Sequence, residues 1–234
     1  MANNFKNAVI RNVSADSTLP TVIYSVPDSK KSIAIELDVA NKGSAGVNVT
    51  VQIEDESKNE TKDQAGTVTA SNAHVISAVD TNASGATAGQ LTTTSNADHI
   101  LIVNDRVLFN FSSAPSFTNA SLPPSGDAAL SASKFYYVQS VTTSAPFKFT
   151  IAETKSATSA LTFDAAGGGL EFKKIHLADV VKDAPVPVGG TLKVISGQKL
   201  VLESSAASSN DKLYAYCTSA NDVDAIASVL EDVS

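Results

Sequence analysis

Tryptophan is missing from this chain, cysteine and methionine occur once each, and aromatic residues make up only 6% of it. With Cys217 alone, no intrachain disulfide can form, so stability must come from burial or from partners. Histidine is also scarce. His74, His99 and His176 lie far apart and in no H-x-x-H or H-E-x-x-H spacing, so one cysteine and these residues offer no structural zinc set. Charged residues reach 18%, against about 25% in a typical globular protein. Polarity is left to Ser, Thr and Asn, which lose less hydration than Lys or Glu when a neighbour covers them. This favours assembly.

The formal net charge is −7, and Lys and Arg are scattered rather than gathered into a stripe that could neutralise phosphates. We therefore expect no direct nucleic-acid binding and no affinity for an anionic membrane. No apolar run approaches the roughly 20 residues of a membrane-spanning helix. Residues 1–11 carry Asn3, Asn4, Lys6 and Asn7 where a signal peptide would have an unbroken apolar core, so export by that route is not expected.

What the chain does have is aliphatic alternation. Ile33, Ile35, Leu37 and Val39 alternate with Ala34, Glu36 and Asp38, and Val47, Val49, Val51 and Ile53 alternate with Asn48, Thr50, Gln52 and Glu54. Turn residues 41–46 lie between them, and the pattern predicts a β-hairpin over 32–54. Shorter strands are expected at 8–13 and 21–25. Residues 55–66 lack an aliphatic core and mark a boundary, and 67–169 carry short apolar segments between long polar connections such as 80–96 and 112–133. After Gly167-Gly168-Gly169, read as a flexible hinge, a strand is expected at 170–175. Pro185-Val186-Pro187-Val188-Gly189-Gly190 then reads as an edge segment and turn. At the end, Val223, Ile226, Ala227 and Leu230 fit a helix while Ala225, Ala227 and Val229 fit a strand, and the all-β context favours the strand.

The fold expected is all-β: an antiparallel sandwich, jelly-roll or immunoglobulin-like, built from 1–66 and 170–234 and interrupted by a small β-rich domain over 67–169. Neither end of the chain has enough strands alone to close two sheets.

Glu54, Asp55, Glu56 and Glu60 form an acidic run, but without the D-x-[DN]-x-[DN]-G spacing of a calcium loop they read as a solvated linker. Cys217 lies in an apolar strand with no histidine nearby in sequence, and no G-x-S-x-G elbow occurs. Gly167-Gly168-Gly169 has no following Lys-Ser/Thr for a phosphate loop. Phe135, Tyr136 and Tyr137 read as core packing. No catalytic, cofactor-binding or metal-binding residue is assigned, and the chain is expected not to be an enzyme.

Two blocks carry a family resemblance. Val26-Pro27-Asp28-Ser29-Lys30-Lys31 with the 33–53 segment, and Asp183-Ala184-Pro185-Val186-Pro187-Val188-Gly189-Gly190 with Gly197-Gln198-Lys199-Leu200-Val201-Leu202-Glu203 and Asp211-Lys212-Leu213, resemble a module of tailed-bacteriophage virion proteins, notably of marine cyanophages. The middle third is similar to another phage-associated β-module through His99-Ile100-Leu101, Asn104-Asp105-Arg106-Val107-Leu108-Phe109, Phe135-Tyr136-Tyr137-Val138 and Phe147-Lys148-Phe149-Thr150-Ile151. There Asn104 stands where that pattern has Gly, and Asn tolerates the same left-handed turn. The resemblance implies a structural component of a virion, an accessory or decoration subunit of tail, neck or capsid, assembled in the host cytoplasm. Its implied partners are other virion proteins and copies of itself in a homo-oligomer. The alternatives are a fibre-type module binding a receptor or host surface glycan through 80–96 and 112–133, and, less favoured, a polysaccharide-degrading enzyme.

Overall fold

The computed structural model describes residues 4–56, 74–82, 84–93, 101–117, 123–142, 146–155, 157–206 and 209–232. Among them every regular element is a strand, and neighbouring strands run antiparallel. The chain divides into two units, Met1–Lys58 with His176–Ser234, and Asn59–Ile175.

The first unit is a two-sheet sandwich, with strands numbered in chain order. One sheet runs β1 (Asn4–Ile10), β15 (Val223–Glu231), β3 (Lys31–Asn41), β12 (Thr191–Ala206), β13 (Ser209–Asn210). The other runs β11 (Leu177–Val186), β4 (Val47–Glu54), β14 (Lys212–Cys217), β2 (Thr21–Ser25). Apart from the short β13, each successive strand crosses to the opposite sheet except β4 and β11, which are neighbours. This order is that of the eight-stranded jelly roll rather than of an immunoglobulin domain. Leu37, Val39, Leu202, Ala225, Ala227 and Val229 from one sheet share a fully buried core with Val49, Val51, Leu213 and Ala215 from the other. The last segment is a strand: Val223, Ala225, Ala227 and Val229 are buried while Ile226 is exposed.

The hairpin expected over 32–54 does not form. β3 pairs with β15 and β12, whereas β4 pairs with β11 and β14, so residues 42–46 step between sheets. Every strand of a sandwich has one buried face, so alternation looks the same in a hairpin and in an arch. Asn41 holds the crossing. Its side-chain amide donates to the carbonyls of Ala45 (2.8 Å) and Val186 (3.0 Å), and its oxygen accepts from the Gly43 N–H at 2.9 Å. The inward face of β3 also switches partway. Ser228 pairs with Glu36 and Val229 with Ala34, leaving Ile35 as a bulge. Ser32 and Ala34 therefore take the buried positions expected of Ile33 and Ile35.

The second unit contains a closed barrel in the order β10 (Glu171–Ile175), β5 (His74–Val79), β6 (Leu91–Thr93), β9 (Lys148–Ala152), β8 (Tyr136–Val141), β7 (Arg106–Asn110), with β7 pairing back to β10. Here the scarce aromatics are concentrated. Phe172 lies 6.4 Å from Phe109 and 4.9 Å from Phe149 between ring centroids, and Phe117 stacks on Phe163 at 5.2 Å. Such pairs contribute beyond their buried area. β10, expected in the sandwich, belongs to this barrel because Phe172 fills its interior and the strand completes the ring between β5 and β7. The glycines before it are not a hinge. Gly168 exchanges backbone hydrogen bonds with Ser113 (3.2 and 3.0 Å), and a Cβ on Gly167 would sit 2.4 Å from the Ser113 carbonyl oxygen.

Candidate functional site

The acidic run is where sequence and structure differ most. β4 continues to Glu54, whose carboxylate is buried and accepts from the Tyr214 hydroxyl at 2.6 Å, with Lys212 Nζ 3.4 Å from the same oxygen. Two residues on, Glu56 is fully buried, and its backbone N–H donates to Asp211 Oδ1 at 2.9 Å. Asp211 Oδ2 accepts from the Glu203 N–H, also at 2.9 Å. Glu54 and Glu56 are therefore not a solvated linker; Glu60 lies outside the described residues. Burial pushes the Asp211 carboxyl above its ordinary value even though the two backbone donors pull it down. Burial, then the charge of Glu54, pushes the Tyr214 phenol well above the usual tyrosine range. Glu54 Oε2 and both Asp211 oxygens are each occupied by a donor of the same unit, and the arrangement fastens β4, β12 and β14 together.

The other candidates are likewise tied into the framework. Cys217 is buried on β14, its thiol donating to the Ser219 carbonyl at 3.0 Å, and burial pushes that thiol up, away from the thiolate a nucleophile needs. His74 is buried on β5 and stacks on Phe172 at 5.0 Å. His176 is half-buried before β11, and His99 lies outside the described residues. Among the described residues, no group of three or more His, Cys, Asp and Glu is gathered as a metal site would require. Phe135, Tyr136 and Tyr137 are all buried, Tyr136 in the barrel core and Tyr137 beneath the Arg106 guanidinium, 5.3 Å from its ring centre. Asn104 has the left-handed turn expected of it, with φ 76°.

The long connections are more ordered than their composition implies. Part of 80–96 is strand β6, and the Asp80 N–H donates to the Gln90 carbonyl at 2.8 Å. Within 112–133 the described residues are pinned by Phe117 and Leu130, both buried, and by the Phe117 N–H bond to the Ala128 carbonyl at 2.9 Å. A charged clamp that the sequence did not announce secures the same loop. Lys134 pairs with Asp127 and lies 3.8 Å from Glu153, which in turn accepts from the Ser125 N–H (3.0 Å) and hydroxyl (2.6 Å). In the sandwich, a cleft of about 330 Å³ opens at the register shift of β12. Its lining includes Lys193 and Lys199 but no acid and no aromatic ring, so it contains no acid–base pair.

The feature with outward reach is the solvent face of the first sheet. Phe5 pairs with Leu230, Leu230 with Ile33, and Ile33 with Val201, placing four apolar side chains side by side across β1, β15, β3 and β12. Phe5 is 66% exposed and Val201 53%, with Leu230 and Ile33 half-buried between them. Val9 and Ile226 make a second exposed pair on the same face. This aligned apolar row lies on a sheet whose other face is already covered by the sandwich core. No protein-family model, curated protein or solved structure matches the chain.

Proposed function

We propose that this chain is a non-enzymatic structural subunit of a tailed-phage virion, an accessory or decoration component of tail, neck or capsid that acts through protein–protein interfaces. The observation that carries this reading is the apolar row of Phe5, Leu230, Ile33 and Val201 on the open face of a jelly-roll sheet. Jelly rolls serve viral capsid proteins and also lectins, so the fold alone does not select between them. The virion reading draws in addition on the resemblance of residues 26–53 and 183–213 to tailed-phage virion modules, and on the small share of charge in the surface. A glycan-binding reading would need recognition loops with free polar groups, whereas the described parts of 112–133 spend theirs on the barrel.

The test is composition of purified particles. The chain should appear in fixed stoichiometry with the major particle proteins, survive a high-salt wash that strips electrostatic contaminants, and give ordered density at symmetry-related positions in particle images. Its absence from washed particles would refute the reading.

A further inference from the structure

A sandwich has open sheet edges, and proteins ordinarily defend them with short strands, bulges, prolines or charges. Three edges here follow that rule. β11 carries two register shifts, Pro185 and Lys182; β2 follows Pro20, spans five residues and faces a register shift; β12, which β13 covers at only two residue pairs, carries two register shifts against β3 together with Lys193, Lys199 and Glu203. β1 is different. It pairs with β15 over seven consecutive residues without a shift, and its sequence, Asn4 to Ile10, contains no proline and no acid. Its one charge, Lys6, is engaged with Glu231 at 3.2 Å.

We propose that β1 is a homotypic interface: the β1 strands of two copies of this chain pair antiparallel about a two-fold axis at Asn7, joining their first sheets into one. The strand is self-complementary in this register. Phe5 of each copy lies beside Val9 of the other, on the solvent face where these side chains are 66% and 57% exposed in the single chain. Lys6 falls opposite Ala8, so no like charges meet, and Asn7 meets its own copy, amide to amide. A two-fold contact of this kind closes on itself as a dimer instead of running on into a fibre. A partner with a different strand would have to reproduce the Phe–Val match; a second copy supplies it by symmetry. This deepens the assembly reading above and rests on it.

The experiment is sedimentation of the full chain over a concentration series beside F5K/V9K, with amide hydrogen exchange on both. Both substitutions point to solvent, so the variant should keep the melting temperature that wild type shows at concentrations where it is monomeric, while placing lysines opposite lysines across the axis. Wild type should sediment as a dimer at high concentration, the variant should weaken association at least about tenfold, and β1 amides should exchange more slowly as wild-type concentration rises. A wild-type monomer at every concentration, a variant that dimerises equally well, or β1 amides whose exchange ignores concentration would each overturn the proposal. A monomer found in fixed stoichiometry in washed particles would overturn the β1 interface alone, and a β1 dimer missing from particles would overturn the virion reading alone.

Discussion

Asp211 offers the sharpest test of how the sandwich is fastened. Its carboxylate is buried and accepts from two backbone N–H groups, Glu56 and Glu203, each at 2.9 Å, so Asp211→Ala strands two donors at once, the first buried and the second partly so. Hydrogen bonds to a charged acceptor contribute about 1.5–3 kcal/mol each, and relief of the carboxylate's own desolvation offsets part of the loss. We expect a net cost of about 3 kcal/mol for Asp211→Ala and about half that for Asp211→Asn, which keeps one acceptor oxygen. Urea unfolding followed by tyrosine fluorescence measures both; with a slope near 2 kcal/mol/M, the alanine variant's midpoint falls by about 1.5 M. The pH dependence is a second, independent readout. Folding raises this carboxyl above its unfolded value of 3.8, so the folded chain holds the extra proton there. Its stabilising contribution is full below the unfolded value and is lost as pH rises through the folded one. The gap between wild type and Asp211→Asn must therefore narrow as pH rises from about 4. An alanine variant as stable as wild type, or a gap that widens toward neutral pH, would refute this account.

Other perturbations follow from the same geometry. Gly89 has φ +71°, and a Cβ there would lie 2.0 Å from the Leu161 carbonyl oxygen, so Gly89→Ala should cost more than about 2 kcal/mol and lower the barrel's melting transition in calorimetry. Tyr24 and Tyr214 are both pushed well above the usual tyrosine value, chiefly by burial. Stability is therefore lost as pH rises past about 10, and phenolate absorbance should show these two ionising only as the sandwich unfolds. Cys217 should react slowly with a thiol reagent in the folded chain, at a rate that climbs with denaturant; rapid native labelling would contradict the burial of β14.

Strand positions were largely legible because a strand with one buried face writes its period of two into the sequence, as Val47, Val49 and Val51 do. Connectivity was not. The same alternation is compatible with a hairpin, and the residue that makes the arch, Asn41, acts through contacts with Val186 far along the chain. The bulge at Ile35 is also invisible in composition, since it depends on the register of β15 and β12. Acidic residues misled for a different reason. Glu54 and Glu56 look like solvent-facing linker until Tyr214, Lys212 and Asp211 arrive from a strand more than 150 positions later to cover them. The apolar row was hidden for the same reason: Phe5, Leu230, Ile33 and Val201 come from four separate strands, and only the jelly-roll order sets them in line.

The position of β15 has a consequence for how the molecule is made. It is the last strand of the sandwich in chain order, yet it lies inside its sheet, between β1 and β3. At roughly 5–20 residues per second of translation, β1 leaves the ribosome many seconds before β15, its one ladder partner among the described residues, has been made. A chain that stops before Val223 never supplies that partner. Its first strand then has no β15 to zip against, so a truncated copy should be cut by an added protease under conditions in which the full chain resists.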